Sequence, residues 1–348
     1  MRAIVVDQFG PPERLRVGEV AKPMPGPDEV MVAVHATPVN YVDLLVVGGT
    51  YQFLPPFPFI PGKGPAGVVA ALGATVTSLR IGDRVLAMAE QGGYAEAVTV
   101  RADHCYRLPP SMSFNEAASL SLVYDTAWFA LRERARLETG ETVLVLGASG
   151  GVGRAAIQLA HAMGARALAG ILRPERAASV RAAGADAVID LSAADLRDSL
   201  RSQVYAATEG RGADIILDPL GGPIFEAAMR ALAWRGRLVV IGFAAGPIPT
   251  IRTNYLLLKN VEISGLQISD YRKRRPAQVA ACFAEIFSLH EEGKIRPAKA
   301  IIFPLGRAGE ALAAVRDRRI AGRAVLQLYQ QSPNVQQTTT EATLLQSR

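Results

Sequence analysis

The chain is poor in the residues that most often hold metals or cross-link a fold. Its 348 residues include two cysteines, Cys105 and Cys282, far apart in sequence. That excludes a disulfide framework and a multi-cysteine zinc cluster. The four histidines, His35, His104, His161 and His290, are scattered, and each reads as structural. No run reaches the roughly 18 consecutive apolar residues of a membrane-spanning helix. The first residues, MRAIVV, start a strand at once, with no basic-then-apolar leader. The expectation is a cytoplasmic protein with no membrane partner. Neither sign of charge dominates: charged residues are 20% of the chain and the net charge is +6. Such a balance suits an anionic ligand and equally serves solubility. The length and a hydrophobic content of 49% allow two domains around a large core.

What is present is a glycine turn in a telling place. Thr142–Gly153 reads TVLVLGASGGVG, a β-branched and leucine run that stops at Gly147, Gly150, Gly151 and Gly153. The amphipathic segment Arg154–Ala165 follows directly. Strand, glycine turn and helix in this order let backbone N–H groups at a helix N-terminus approach a pyrophosphate. The spacing departs from the strict dinucleotide pattern at one point, where Ala148 stands in place of a glycine.

The rest of the chain divides in two. Residues 1–110 read as short strands broken by turns, with Ala3–Val6, Arg14–Val20 and Glu29–His35 as strands. Between Gly48 and Gly62, four prolines and four aromatics predict a stiff loop, packed on its own core or walling a cleft. From Phe114 the pattern becomes α/β. A helix is predicted over Asn115–Arg134, then apolar strands at Val143–Leu146, Ala167–Ile171, Ala187–Ile189, Ile215–Leu217 and Leu238–Ile241, with helices between most of them. Near-continuous apolar strands predict a parallel sheet covered on both faces. A further strand, EISGLQI, follows Val261. Then come a helix at Pro276–Glu292, a strand at Ala300–Phe303, a helix at Gly306–Arg316 and a strand at Ala324–Leu328. The polar tail, residues 330–348, is expected to be disordered.

The end of the second apolar strand discriminates between nucleotides. An acidic residue there would bind the ribose 2′-OH, while arginine favours a 2′-phosphate. The chain reads ALAGILRPER, so Arg173 and Arg176 favour NADP, unless both are simply solvated helix ends.

At this point the chain resembles the zinc-independent quinone oxidoreductase group of the medium-chain dehydrogenase/reductase superfamily. The resemblance rests on Asn40-Tyr41-Val42-Asp43, Pro61-Gly62, Ala66-Gly67, Gly82-Asp83-Arg84-Val85 and Gly92-Gly93-Tyr94-Ala95-Glu96. It continues through Thr126-Ala127, the glycine turn, Gly184-Ala185-Asp186 and Gly322-Arg323-Ala324-Val325-Leu326. It implies an α/β fold, a GroES-like β-rich catalytic domain over residues 1–122 and 268–330 and a doubly wound Rossmann domain over 123–267. Metal-dependent relatives carry a cysteine at Asn40 and a His-Glu pair at Lys63-Gly64, so no metal site is expected. By resemblance, Asn40 and Thr126 border the nicotinamide, and Ser149, Gly150, Gly151 and Val152 lie on the pyrophosphate. Gly242, Phe243 and Leu266 close over the nicotinamide side, and Arg323 lies near the cofactor. The usual residues of the 2′-phosphate pocket are replaced by Leu172, Arg173 and Leu191, and a basic residue is kept in kind at Arg176.

Without a metal to polarise a carbonyl, the natural reaction is hydride delivery from NADPH to a quinone or another activated alkene such as an enone. Tyr51 is the first candidate for a hydrogen-bond donor to the acceptor, with Lys63 and Tyr41 behind it. The partner expected is a small molecule, and a homodimer joined along the Rossmann sheet edge is implied. Alternatives are an enoyl-thioester or 2-alkenal reductase, and an NADPH-binding crystallin-like or RNA-binding protein. The run Asp270–Arg275 reads as a solvated helix entrance, with a grip on a CoA phosphate or nucleic acid as the alternative. One short run is not the broad basic face that nucleic acid needs, so no nucleic-acid partner is expected. Tyr255 and Lys259 match the spacing of the short-chain dehydrogenase pair but lack its serine and its N-terminal glycine turn.

Overall fold

The apolar runs from Thr142 onward become six parallel strands. We label them β1 (Thr142–Leu146), β2 (Arg166–Ile171), β3 (Ala187–Asp190), β4 (Ala213–Asp218), β5 (Leu232–Val240) and β6 (Glu262–Gly265). The computed structural model, which describes residues 1–328, orders them β3-β2-β1-β4-β5-β6, and every pairing is parallel. Every residue of β1 is buried, as a strand covered on both faces requires. The order reverses between β1 and β4. In a doubly wound sheet the ligand crevice opens at that point, beyond the carboxyl ends of the strands.

The second sheet is built from both ends of the chain. Its order is Ala300–Pro304, Arg323–Gln327, Glu29–Pro38, Ala66–Leu72, Arg84–Ala87 and Cys105–Arg107, with Ala97–Arg101 also paired to Glu29–Pro38. Val325 stands opposite Pro38 in antiparallel register. The last described strand thus closes against the first long one, giving the GroES-like arrangement beside the Rossmann sheet. Residues 48–62 form no helix and no regular strand, as their prolines predict.

Several local expectations need correction. A short helix, α1 (Tyr41–Val47), stands where only strands and turns were expected. The Asn40 N–H donates to Asp43 Oδ2 at 2.9 Å, half of a capping box. The apolar run that follows fits either period, so the cap decides. The helix expected over Asn115–Arg134 is broken. Its pieces are α2 (Phe114–Leu120), α3 (Val123–Trp128) and a π-helical turn, Phe129–Arg134. The break is at Leu122, which takes a φ of 65°. The EISGLQI strand ends at Gly265.

Three further helices matter below. These are α4 (Gly151–Ala162), α5 (Ile268–Arg274) and α6 (Pro276–Glu291). The Tyr255–Lys259 pair is structural at its lysine: Lys259 Nζ donates to the carbonyls of Arg230 and Leu232. The expected disorder of the tail lies outside the described residues. No helix among the described residues is long and apolar enough to cross a membrane.

Candidate functional site

The glycine turn joins β1 to α4. Gly147 takes a φ of 63°, a left-handed conformation that suits glycine. Ala148 then sits buried with its N–H on the Gly170 carbonyl. A Cβ at Gly153 would lie 2.5 Å from the Gly147 carbonyl oxygen and 2.6 Å from Ala148 Cα. The third glycine is therefore what lets the helix lie against the turn. Ser149 and Gly150 are exposed at its mouth, and Gly151 and Val152 open α4. The first N–H groups of a helix have no partner within it, and here they face the crevice end of β1.

Arg323 comes to this turn from the far end of the chain. A Cβ on Gly151 would lie 3.0 Å from its Nη1. Its Nη2 donates to Asn40 Oδ1 at 2.7 Å. That bond fixes the Asn40 amide, whose Nδ2 is buried with no hydrogen-bond partner among the described residues, as is Arg323 Nε. Asp43 lies behind them and accepts from Tyr94 Oη at 3.0 Å. Burial pushes the Asp43 carboxyl up to about 6 against these bonds, and burial likewise pushes Arg323 down to about 10.

Lys63 occupies a neighbouring position and is 7% exposed. Its Nζ donates to the Glu90 carbonyl at 2.9 Å and to Glu90 Oε2 at 2.6 Å. The third ammonium N–H has no protein acceptor among the described residues. Tyr51 packs its ring 5.8 Å from Lys63 Nζ and edge-on to Phe53. Tyr41, at the start of α1, is exposed. Burial would raise the Glu90 carboxyl, but Arg272 and Lys63 outweigh it and bring it down to about 2.

Arg272 corrects the reading of Asp270–Arg275 as a solvated run. It is 2% exposed and ion-paired to Asp125 Oδ2 at 2.6 Å and Glu90 Oε1 at 2.8 Å. A guanidinium so engaged is not free for a phosphate or nucleic acid. Lys273, Arg274 and Arg275 are exposed.

Of the remaining expected residues, Gly242, Phe243, Leu266 and Arg173 follow the carboxyl ends of strands, while Thr126 lies on α3. Gly242 follows β5, and its N–H meets the Asp218 carbonyl at the end of β4. Phe243 packs on Gly221. Leu266 follows β6 and donates to the Val240 carbonyl. Thr126 donates its N–H to Asp125 Oδ1 at 2.7 Å. Arg173 is exposed beyond β2, with Arg176 half-buried in the next turn.

Arg173 Nη1 reaches the Arg318 carbonyl at 3.3 Å, and Arg318 Nη2 reaches the Ala244 carbonyl at 3.4 Å. Sequence reasoning missed Arg318, together with Glu90 and Asp125. The run Arg316–Arg319 was visible, but nothing local says that it folds back on β2. Leu172 is half-buried and Leu191 buried, so neither offers a polar side chain. Among the described residues, no three His, Cys, Asp or Glu side chains come together in a way that could hold a metal ion.

The family described as Alcohol dehydrogenase GroES-like domain matches residues 26–110, and that described as Zinc-binding dehydrogenase matches residues 151–285. A quinone oxidoreductase-like protein 2 homolog of Nematostella vectensis is 35% identical over 88% of this chain and 83% of its own length. The quinone oxidoreductase of Mus musculus is 34% identical over 89% of this chain and 92% of its own. Among solved structures, Escherichia coli quinone oxidoreductase complexed with NADPH superimposes with a TM-score of 0.86. It is 26% identical and covers 94% of this chain and all of its own. The chain belongs to the zinc-independent quinone oxidoreductase group of the medium-chain dehydrogenase/reductase superfamily.

Proposed function

We propose that this chain binds NADPH and reduces a quinone or another activated alkene in the crevice between its two sheets. The observation that carries the reading is the pair of unspent donors, Asn40 Nδ2 and the third N–H of Lys63, from two residues that both act on the charge of Asp43. Buried polar atoms are nearly always paired, so these are groups set for a ligand.

The residues present fit the dinucleotide. The glycine turn and the first N–H groups of α4 would hold the pyrophosphate, with Arg323 alongside. Arg173, Arg176 and Arg318 would surround a 2′-phosphate. Asn40, Thr126, Gly242, Phe243 and Leu266 would enclose the nicotinamide, which when bound supplies the hydride. Lys63 and Tyr51 then donate hydrogen bonds to the acceptor oxygen that gains negative charge. Fixed donors aimed at developing charge in a water-poor crevice stabilise it without reorganising. Glu90 keeps the ammonium in place, and Asp43 supports both Asn40 and the local positive charge.

The relatives named above support the cofactor and the acceptor class. The test is nicotinamide oxidation by purified, chelator-treated protein, with NADPH and NADH in parallel. The acceptors are a benzoquinone, a 2-alkenal and a crotonyl thioester. Turnover with NADPH and the quinone or the alkenal is expected. Preference for the thioester would move the activity to enoyl-thioester reduction, and no turnover with any of the three would overturn the reading.

The same proposal includes a cytoplasmic homodimer. Strand β6 is the open edge of the parallel sheet, and Leu257 and Leu258 are exposed on the helix that directly precedes it. Sedimentation should give twice the chain mass, and Leu258→Glu should halve it. We also keep the division into a catalytic part, residues 1–122 with 268 onward, and a nucleotide-binding part, 123–267.

A further inference from the structure

Arg272, which the reaction above leaves without a role, lies at the centre of a path joining two residues that the reaction uses. Its Nη2 is 2.6 Å from Asp125 Oδ2 and its Nη1 is 2.8 Å from Glu90 Oε1. Each carboxylate has a second task. Asp125 Oδ1 accepts the Thr126 N–H at 2.7 Å. Glu90 Oε2 accepts from Lys63 Nζ at 2.6 Å and from Ser269 Oγ at 3.0 Å. A continuous hydrogen-bonded path therefore runs Thr126, Asp125, Arg272, Glu90, Lys63. One end is a residue expected beside the nicotinamide. The other is the ammonium that faces the acceptor.

The chemistry of this path is not that of a simple cross-link. A buried ion triad contributes little net stability compared with apolar side chains of the same volume. What it supplies is fixed geometry. Lysine is a point charge on a flexible four-carbon stem and needs an outside constraint to present one N–H in one direction. Glu90 provides that constraint from a side chain that is itself a third exposed. Without Arg272 and Ser269 holding it from the other side, the carboxylate would turn to water and the ammonium would follow.

We propose that Arg272 is a positioning residue: acting through Glu90, it sets the direction of the Lys63 ammonium, and through Asp125 it ties that setting to the helix that carries Thr126. The inference rests on the reading that Lys63 faces the acceptor.

The experiment uses the full chain with NADPH and the best acceptor. Glu90→Gln keeps the shape of the side chain and leaves Arg272 paired with Asp125, so it is the variant that should fold. It should lower kcat about tenfold, the effect of weakening one charge-assisted hydrogen bond, while KM for NADPH stays within about twofold. The double variant Glu90→Gln with Lys63→Met should be no slower than Lys63→Met alone. Losses that multiply, or a full kcat in Glu90→Gln, would show that Glu90 does not act through Lys63.

A second readout does not depend on turnover. Reductive methylation with formaldehyde and cyanoborohydride is followed at each lysine by mass spectrometry, with exposed Lys294 as the internal standard. Labelling of Lys63 should rise several-fold over wild type in Glu90→Gln, and in Arg272→Gln if that variant folds. Unchanged labelling overturns the inference. Raised labelling in a protein that reduces no acceptor leaves the tether standing and overturns the proposed function instead.

Discussion

Arg323 and Asn40, 283 positions apart, share a hydrogen bond of 2.7 Å that decides which way the asparagine amide faces. The oxygen is taken, so the NH2 group is the one left for a ligand. Asn40→Ser keeps a good N-cap residue for α1 but removes that donor. Loss of one hydrogen bond to a buried group costs about 1–2 kcal/mol. We expect kcat/KM for NADPH to fall about 5- to 30-fold, with a drop in melting temperature because buried Arg323 loses its acceptor as well. Steady-state kinetics and calorimetry on the one variant check both halves, and an unaltered kcat/KM would remove Asn40 from the cofactor.

The arginine cluster beyond β2 makes a selectivity prediction. Arg173→Ala and Arg318→Ala should each weaken NADPH binding about tenfold or more, the worth of a charge-assisted bond to phosphate. NADH binding should be nearly unchanged, because it has no 2′-phosphate. Fluorescence titration with both nucleotides decides it. Equal losses for the two would mean that the arginines act on the fold.

Gly153→Ala tests the turn. The added Cβ would meet backbone atoms at 2.5–2.6 Å, and backbone cannot swing aside as a side chain can. Overpacking of this kind costs about 1–3 kcal/mol. The variant should unfold at lower urea and bind NADPH at least tenfold more weakly. Gly140→Ala is the contrast, since nothing lies within 4 Å of its Cβ position, although its φ of 87° carries its own strain. It should lose stability without losing affinity. Full NADPH affinity in Gly153→Ala would show that α4 can move off the turn.

Asp43 gives the chain a pH signature. Its carboxyl rises from an ordinary 3.8 to about 6 because burial opposes its charge. A group raised in the folded state contributes stability that is complete below pH 4 and is lost as pH rises through 6. The amount is about 3 kcal/mol. Urea unfolding of wild type and Asp43→Asn should therefore diverge between pH 4 and 7, with the wild type losing ground. A gap that stays constant over that range, or one that moves the other way, would place the charge elsewhere.

Much of the fold was legible because its signals are local. The apolar runs of β1, β2 and β4 are short and almost wholly buried, as strands covered on both faces are, and the glycine turn announces its helix within a dozen residues. The break at Leu122 was not legible, since a positive φ at leucine is imposed by packing and not by the residue. Helix α1 was hidden because Val42–Val47 is as good a strand sequence as a helix sequence, and only the Asn40–Asp43 cap separates the two. Candidate residues on the glycine turn could be named from their spacing. Glu90, Asp125 and Arg318 could not, because each acquires its role from a partner on another element. Arg272 shows the limit most clearly. In a run of basic residues it looks like surface, and the carboxylates that bury it are 182 and 147 positions away.

The strand Arg323–Gln327 also governs when the sheet it joins can close. Pairing over Ala36–Pro38 waits for it, so a growing chain holds one edge of its first sheet open until this strand has been made. The parallel sheet takes no strand from beyond Gly265 and, once α6 supplies Val279, Phe283 and Ile286 to the core beneath it, can form earlier. A nascent chain would then have its nucleotide turn in place while Asn40 still lacked Arg323. Such long-range closure is slow and leaves an unpaired edge exposed in the meantime. Closure of the Asn40–Arg323 contact thus comes late, and a break in the strand Arg323–Gln327 would undo it while leaving the pairings of the parallel sheet intact.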